Sequence, residues 1–565
     1  MLFLNPSKFE RRLTDEKTNE IFEKTIAFFE KKGLEKIKED DRESKWYADF
    51  IEFLQEEEIF ANLLIPTGYG DENSRFDLSR ICDFSELTAF YSLAYQYCYQ
   101  VSILGLSPIW MGNNEEIKKK TGQLLKQGGI FAFGMSEKQH GADLYSNRMK
   151  LHSKEDGTYH GTGSKYYIGN ANEAALVSVF GRIAETDEFV FFVVDPKHDN
   201  YHLEKKIHTS GVRPAYVGEF SIENYPIKDA DILSEGRAAW DSSLSTVNIG
   251  KFQLGFASAG ICQHAFYEAL DHASERILYG NKVTDFSHVK DLFTESYARI
   301  IAMKLYARRA VDYFRSSSEE DRRYLLFNPI QKMKVTKQGM EVIDMLLDVV
   351  AAKGFEQDTY MELAIRDIGM IPRLEGTSHV NMALVIKFMK NYFFDNKVYP
   401  DIPTRRDAKD DSNLFRQTTG KLAMVKFPDY RCCYSGVKHA NALLFQEQVE
   451  LYREMLIKAP PTELQQKDIN FMLHLGELFT VAVYAQLVLE NAKLYQVNDD
   501  LVDSMFKFMV RDFAQFALAH LSKFENTPEQ VVYLEKMLKR PKLNSILEER
   551  IWQHQILPLK NSYRV

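Results

Sequence analysis

Residues 131–143 read Phe131-Ala132-Phe133-Gly134-Met135-Ser136-Glu137-Lys138-Gln139-His140-Gly141-Ala142-Asp143, and the character of the chain changes at this stretch. Before it, residues 8–130 carry apolar side chains at the three-and-four spacing typical of amphipathic helices. After it come short β-rich runs separated by turn signals: Leu176–Phe180, Phe189–Val194 and Gly218–Ile222. The glycine-bearing stretch is either a plain connection or a loop whose N–H groups suit an anionic or carbonyl-rich ligand. The sequence therefore predicts a β domain that begins here.

Helical periodicity returns after the β-rich region. Leu254, Ala257, Ile261 and Ala265 fall on one face of a long helix. The charge-dense stretch 400–412, which contains Pro403, is typical of a linker between domains. Residues 413–565 form a further helical block. We therefore predict a mainly α fold with a middle β domain, divided into residues 1–130, 131–236, 237–395 and 413–565.

Composition restricts the class of protein. The chain has 565 residues, of which 45% are hydrophobic and 27% charged, as in soluble globular proteins. Its net charge of -9 argues against nucleic acid as the principal partner, because phosphate binding needs a basic surface. The cysteines lack CxxC spacing and the histidines are scattered, so neither a disulfide framework nor a metal site is predicted. We see no long apolar run and no signal-peptide pattern, and therefore expect no transmembrane helix and a cytoplasmic location.

Three further segments carry residues suited to chemistry. Lys165-Tyr166-Tyr167-Ile168-Gly169-Asn170 is either a strand that ends in a turn or the wall of a site for a flat cofactor. In Arg276-Ile277-Leu278-Tyr279-Gly280, Arg276 either offsets a helix dipole or binds a phosphate. In Pro372-Arg373-Leu374-Glu375-Gly376-Thr377-Ser378-His379, Glu375 is interpreted equally well as a helix-capping residue or as a catalytic carboxylate.

Taken in order, these segments resemble the motifs of the acyl-CoA dehydrogenase family. The exit from the β domain, Gly211-Val212-Arg213 through Tyr225-Pro226, resembles the family pattern as well. The likeness covers residues 45–395. Each motif is weak alone, but five in the family's order and at its distances are specific. The block 413–565 is similar in size and position to the added helical domain of the very-long-chain members.

The resemblance implies an FAD-dependent α,β-dehydrogenation of an acyl-CoA thioester to the trans-2-enoyl-CoA. It makes Glu375 the base, with a pKa raised by burial, and sends the β-hydride to flavin N5. It implies no metal. The cofactor-binding positions that it implies are Phe133, Met135, Ser136, Gly141, Ala142, Tyr167, Gly169, Arg276, Tyr279, Asp348, Ala352, Thr377 and His379. The substrate-side positions are Ala142, Asn248, Lys251, Gly376 and Lys387.

Several of these positions depart from the family pattern. Where the family has a flavin-contacting Thr, Ser and Trp, this chain has Gly169, Ala142 and Tyr167. The family's Gln-x-x-Gly-Gly is replaced by residues 348–352, and a substrate-side Arg by Lys251. Gly250 stands at the position where some relatives carry the base, so Glu375 is the remaining choice. Two alternatives stay open: a relative that acts on a carrier-protein-bound or unusual thioester, and a catalytically weak FAD-binding scaffold.

The resemblance also implies partners. An electron-transfer flavoprotein is the expected electron acceptor. A homodimer is expected, in which residues 413–565 cover the surface that tetrameric members use and Arg276 reaches the neighbouring chain's cofactor. For the apolar helices of that block, packing on the core is favoured over a peripheral membrane contact, because amphipathic helices most often face a core.

Overall fold

The structure, a computed structural model, describes residues 2–11, 15–417 and 420–563. The chain forms two compact units. The β-unit comprises Lys8–Ile261 and Arg406–Gly420, and the helical unit comprises Met1–Ser7, Cys262–Arg405 and Lys421–Arg564. The boundaries of the four domains predicted from the sequence stay a prediction.

The β-unit begins with helices and continues into the sheet. Asp77 and Asn114 start two of these helices, because their side chains accept the N–H groups of the first turn. Pro108 lies inside one of them, in the last turn before Gly112, and has no backbone N–H to donate to this helix. The helices are α1 Glu16–Arg42, α2 Ala48–Glu56, α3 Ile59–Leu64, α4 Leu78–Tyr91, α5 Leu93–Met111 and α6 Glu115–Lys126.

Eight strands of the β-unit form one sheet, in the order β6-β7-β3-β2-β4-β5-β8, with β1 parallel to β4. The predicted run Phe189–Val194 is a strand with those bounds, because its apolar and β-branched residues are buried on both faces. Met149, Val177, Phe192 and Phe220 belong to its fully buried core. The strands are β1 Ile130–Gly134, β2 Lys150–Ser153, β3 Tyr159–Gly169, β4 Ala174–Ile183, β5 Phe189–Val194, β6 Tyr201–Lys206, β7 Val217–Ile227 and β8 Ile232–Glu235.

The main part of the helical unit begins inside α7, Gly236–Glu275. The apolar face predicted for this helix is buried. A two-stranded hairpin comes next, with β9 Ile277–Leu278 and β10 Asn281–Lys282. A π-helical turn, Gln331–Val335, joins α9 to α10. The helices before the final block are α8 Ser287–Arg315, α9 Tyr324–Ile330, α10 Thr336–Val350, α11 Tyr360–Ile368, α12 Ser378–Val385 and α13 Met389–Phe394.

The C-terminal block is helical and packs within the helical unit. Asp512 of this block forms a buried ion pair with Arg299 of α8, with N–O distances of 2.8 Å and 3.0 Å, and Lys334 approaches it to 3.3 Å. Burial by itself raises the pKa of Asp512, but the two cations outweigh burial and hold that pKa below its ordinary value. The helices are α14 Ala440–Lys458, α15 Glu463–Lys467, α16 Ile469–Leu494, α17 Asp499–Leu521, α18 Pro528–Met537 and α19 Ser545–Ile551. The predicted fold class, with its extra C-terminal helices, is confirmed.

One helix of this block, α16, is long and apolar enough to cross a membrane by length and composition. In its most apolar window 78% of the residues are buried inside the protein, which is typical of the core helix of a soluble protein. Among the residues that the structure describes, no other helix passes the same test.

The predicted linker is held in place along part of its length. Asp410 accepts the N–H groups of Thr67 and Phe76 at 2.8 Å and 3.0 Å, and Asp411 accepts that of Leu78 at 2.8 Å. Arg406 forms an ion pair with Asp83 of α4 at 2.6 Å. Acidic residues of the predicted linker therefore fasten it to the β-unit.

Candidate active site

In the β-unit, the residues that follow β1 pair with β3. The N–H of Tyr166 donates to the carbonyl oxygen of Ser136 at 2.9 Å, and the Ser136 hydroxyl donates to the carbonyl oxygen of Tyr166 at 2.7 Å. Three predicted cofactor-binding residues, Met135, Ser136 and Tyr167, are thereby brought together beside the part of β3 that lies beyond its pairing with β2, which forms a local edge within the sheet. The Ser136 hydroxyl proton is used inside the protein, so this side chain can meet a ligand as an acceptor.

A buried ion pair that the sequence analysis missed lies beneath this edge. Lys165 is fully buried, and its ammonium donates to the carboxylate of Glu137 and to the carbonyl oxygen of Met135, each at 3.0 Å. Glu137 also accepts the N–H groups of Arg148 and Met149 at about 3 Å. Burial lowers the pKa of Lys165 to about 8, against the opposing effect of Glu137. Both residues stand in the quoted motifs, and a charged pair in a strand-rich region was the available signal.

Tyr167 occupies a strained position at the same edge. The pairing of β3 with β7 shifts by one residue between Tyr166 and Ile168, and Tyr167 has a φ of 64°. A bulky side chain in the left-handed region is uncommon and costs about 1–3 kcal/mol, and such strain clusters at functional sites. The side chain is 61% exposed. This arrangement leaves a planar ring free to stack on a flat ligand.

Gly169, two residues further along β3, explains one departure from the family pattern. A Cβ atom at this position would lie 2.7 Å from Val101 Cγ2 and 2.8 Å from Tyr97 Cε1, both on α5. The next residue, Asn170, ties the same strand end to α5 by donating to the carbonyl oxygen of Cys98 at 3.1 Å. A threonine at position 169 does not fit this backbone, because Val101 and Tyr97 fill the space that its side chain needs.

We expect Gly169→Ala to destabilise the protein by about 1–3 kcal/mol, the usual cost of forcing an extra methyl group into a packed interior. The matched control is Gly369→Ala, whose Cβ would meet its nearest atoms at 3.7 Å. Thermal unfolding of the two purified variants measures the difference. Equal unfolding midpoints would mean that Tyr97 moves aside at no cost in stability, and the steric explanation would be wrong.

The other predicted residues of the β-unit lie in separate places. Phe133 is half-buried on β1 and stacks on Phe191, with ring centroids 6.1 Å apart. Gly141 and Ala142 are exposed in the loop between β1 and β2. Asn248 and Lys251 are buried on α7, where Gly250 accepts a hydrogen bond from Gln100 of α5 at 3.0 Å. Their predicted roles toward cofactor and substrate stay predictions.

In the helical unit, Glu375 lies in a tight turn before α12. Glu375 has a φ of 53° and Gly376 a φ of 84°, so two successive residues are left-handed. The Glu375 side chain is half-buried. The N-cap of α12 is Thr377, whose side chain accepts the N–H of Val380. The interpretation of Glu375 as the capping residue is therefore wrong.

Two buried polar side chains hold this turn, and sequence reasoning missed both. The Lys332 ammonium donates to the carbonyl oxygen of Pro372 at 2.5 Å and to that of Gly376. The Asn381 amide donates to the carbonyl oxygens of Gly376 and Thr377, each at 3.0 Å. The sequence carried no signal that sets Lys332 apart, because Lys334 and Lys337 stand in the same stretch. The turn that carries Glu375 is thus fixed by side chains from two helical segments.

The remaining predicted residues of the helical unit lie on different elements. Arg276 is exposed where α7 ends, and Tyr279, 95% exposed with a φ of 52°, forms the tip of the β9–β10 hairpin. Asp348 is exposed near the end of α10, and Ala352 is exposed just after it. His379 and Lys387 are exposed on and just after α12. In the described part of the chain, no group of His, Cys, Asp and Glu residues could hold a metal ion.

Comparison with known proteins identifies the family. Residues 132–225 match the model of the acyl-CoA dehydrogenase middle domain, and residues 239–390 match that of the acyl-CoA dehydrogenase C-terminal domain. The chain therefore carries the middle and C-terminal domains of the acyl-CoA dehydrogenase family. The family is FAD-dependent, and FAD is thereby confirmed as the expected cofactor.

Three relatives show how far the likeness extends. An acyl-CoA dehydrogenase from Bacillus anthracis, solved with FAD, covers 100% of this chain and 97% of its own, with a TM-score of 0.76 and 17% identity. A 3-(aryl)acrylate reductase from Clostridium sporogenes is 22% identical over 50% of this chain and 75% of its own length. The very long-chain specific acyl-CoA dehydrogenase of Bos taurus is 23% identical over 48% of this chain and 42% of its own length. The fold match thus includes the C-terminal block, whereas these sequence matches cover about half of the chain.

Proposed function

We propose that this protein is an FAD-dependent dehydrogenase that desaturates an acyl-CoA thioester between its α and β carbons. Membership of the family supports the reaction class. The observation that carries the proposal is the Glu375 turn: a half-buried carboxylate stands on left-handed backbone and is held by two buried side chains. A structural role as the helix cap is already filled by Thr377.

The chemistry needs a carboxylate at this place because the α-proton of a thioester is only weakly acidic. Glu375 accepts that proton, and backbone N–H groups of its turn stabilise the negative charge that develops on the thioester oxygen. Holding the carboxylate in one geometry supplies part of the rate, since the reacting groups then need no further ordering. FAD, when bound, accepts the hydride that leaves the β carbon.

The residues present fit a flat, phosphate-bearing cofactor. The exposed ring of Tyr167 offers a stacking surface, and the half-buried oxygen of Ser136 is available as an acceptor. In the helical unit, the exposed guanidinium of Arg276 suits a phosphate. We assign these three residues to the binding of FAD, together with Thr377.

An electron-transfer flavoprotein as acceptor, a homodimer and a cytoplasmic location belong to the same proposal. The exposed apolar tip of the β9–β10 hairpin, with Ile277 56% and Tyr279 95% exposed, supports a subunit interface there. A role in fatty acid metabolism follows if the substrate is a fatty acyl-CoA.

The proposal is tested on purified protein with a panel of acyl-CoA thioesters in the absence of oxygen. We expect yellow protein with about one FAD per chain, whose absorbance bleaches with at least one thioester. The panel contains straight-chain, branched and aromatic esters, because one relative is named for an aryl acrylate. Colourless protein that FAD does not reconstitute would favour the scaffold alternative. Yellow protein that bleaches only with carrier-protein thioesters would favour the other alternative.

A further inference from the structure

Lys332 is a fully buried lysine at an irregular point of the helical unit. It lies in the π-helical turn Gln331–Val335, where the hydroxyl of Thr336 donates to its carbonyl oxygen. A π turn inserts one residue into a helix and re-aims the side chains around it, and such insertions are frequent at functional sites. Here the turn directs the Lys332 ammonium onto the segment that contains Glu375.

The two carbonyl groups that Lys332 binds lie on either side of Glu375. Pro372 precedes Glu375 by three residues and Gly376 follows it directly. One ammonium therefore closes the turn from within, as a cross-link between its two ends. Taking an ammonium out of water is unfavourable, and these hydrogen bonds offset part of that cost.

The conformation that Lys332 closes is one that an ordinary residue avoids. Glu375 is left-handed, and Gly376, which is also left-handed, presents its carbonyl oxygen to both Lys332 and Asn381. Without the Lys332 ammonium, Asn381 alone would hold Gly376, and the Pro372 end of the turn would lose this anchor. The backbone at Glu375 would then relax toward the common regions and carry its carboxylate away.

We infer that Lys332 is a positioning residue for Glu375, which acts by fixing the backbone of the Glu375 turn. The inference rests on the proposed function, in which Glu375 is the base. A general role in stability can be told apart from this positioning role, because the same π turn holds a second buried lysine, Lys334, that does not contact the Glu375 turn in any hydrogen bond described above. Lys334 pairs with Asp512 at 3.3 Å.

The test compares Lys332→Met with Lys334→Met in the full-length, FAD-loaded protein. Each change removes one buried ammonium from the same π turn. The first readout is amide hydrogen exchange, which does not depend on turnover. We expect Lys332→Met to raise exchange of the Arg373 and Asn381 amides, which donate to the carbonyl oxygens of Met370 and Thr377 beside the Glu375 turn, at least tenfold relative to the rest of the helical unit. Lys334→Met should leave that ratio unchanged. Equal ratios in the two variants would overturn the inference.

The second readout is the limiting rate of anaerobic flavin reduction by the thioester that bleaches the wild type fastest. A displacement of about 1 Å at a reacting group costs on the order of 10²-fold in rate. We expect a loss of that order in the limiting rate for Lys332→Met, with little change in the thioester concentration that gives half of this rate. In the Glu375→Gln background, Lys332→Met should add almost nothing, because residues that act through one group are not additive. A full further loss there would mean that Lys332 acts independently of Glu375.

The outcomes separate the inference from the proposed function. If Glu375→Gln reduces as fast as wild type, the base assignment fails, while hydrogen exchange still decides whether Lys332 fixes the turn. If Glu375→Gln is slow and Lys332→Met is not, only the positioning role fails. Should Lys332→Met fold poorly, Lys332→Arg keeps a cationic donor and is expected to hold exchange of the Arg373 and Asn381 amides close to the wild-type ratio. A ratio in Lys332→Arg that is tenfold above the wild-type ratio would contradict the inference.

Discussion

Glu375→Gln is expected to slow the reduction of bound flavin by acyl-CoA on the order of 10²–10⁴-fold, the usual contribution of a positioned general base. Glutamine keeps the size of the side chain but cannot accept the α-proton. Flavin content and thioester affinity should stay close to those of the wild type, because the backbone of the turn is held by Lys332 and Asn381. Rapid mixing under anaerobic conditions measures the rate.

The control for this variant is Glu454→Gln, which removes a carboxylate from α14 that pairs with Lys458 at 3.6 Å. An exposed pair of this kind contributes little, so neither rate nor stability should change. Glu375→Gln should leave the cap of α12 intact, since Thr377 and not Glu375 caps this helix. Reduction within a few-fold of the wild-type rate would show that Glu375 is not the base.

Lys165→Met is expected to destabilise the β-unit by about 3–5 kcal/mol, because it leaves the buried carboxylate of Glu137 without its cation. The effect should concentrate on the edge that carries Ser136 and Tyr167. The N–H of Tyr166, which donates to Ser136, reports on that edge. Its hydrogen exchange should accelerate strongly, and the variant should retain FAD less well than the wild type.

Lys150→Met is the matched control, because Lys150 of β2 pairs with Asp187 at 2.9 Å on the surface of the same sheet. The loss expected there is about 0–1 kcal/mol. Thermal unfolding and Tyr166 exchange compare the two variants directly. If both lose the same stability, the buried pair contributes no more than a surface pair, and its proposed role beneath the edge is wrong.

Lys165 also predicts a dependence on pH. Burial lowers its pKa in the folded protein to about 8, below the ordinary value of 10.5. Between these two values the unfolded chain binds more protons than the folded protein, so the contribution of Lys165 to stability rises with pH. This rise should be visible in wild-type unfolding between about pH 8 and 10.5 and absent from Lys165→Met, which has no proton to lose.

Local pattern was sufficient for many of the elements and for the choice of Glu375 as the candidate base. The run Phe189–Val194 was predicted as a strand from its own residues and is β5, since side-chain period and β-branching are properties of a few neighbouring positions. The buried face of α7 followed from three-and-four spacing in the same way. Glu375 was reached through the order of motifs, which lies in the chain itself.

The sequence pattern did not reveal which side chains hold these residues in place. The sequence left open whether Glu375 caps the helix α12. The structure shows that the N-cap residue of α12 is Thr377. The clash that keeps position 169 a glycine comes from Tyr97 and Val101, which lie far away in sequence.

The sequence by itself determined the helices, the strands, the family and the candidate carboxylate, because these depend on residue type and spacing over short distances. Only the tertiary structure decided the supports of the site. Lys332 meets carbonyl groups 40 and 44 positions away, and Lys165 meets a carboxylate 28 positions away. Such hydrogen bonds form where folding brings polar groups within about 3 Å of each other. A charged group is buried only where the fold supplies such a partner, because leaving water without one is too costly.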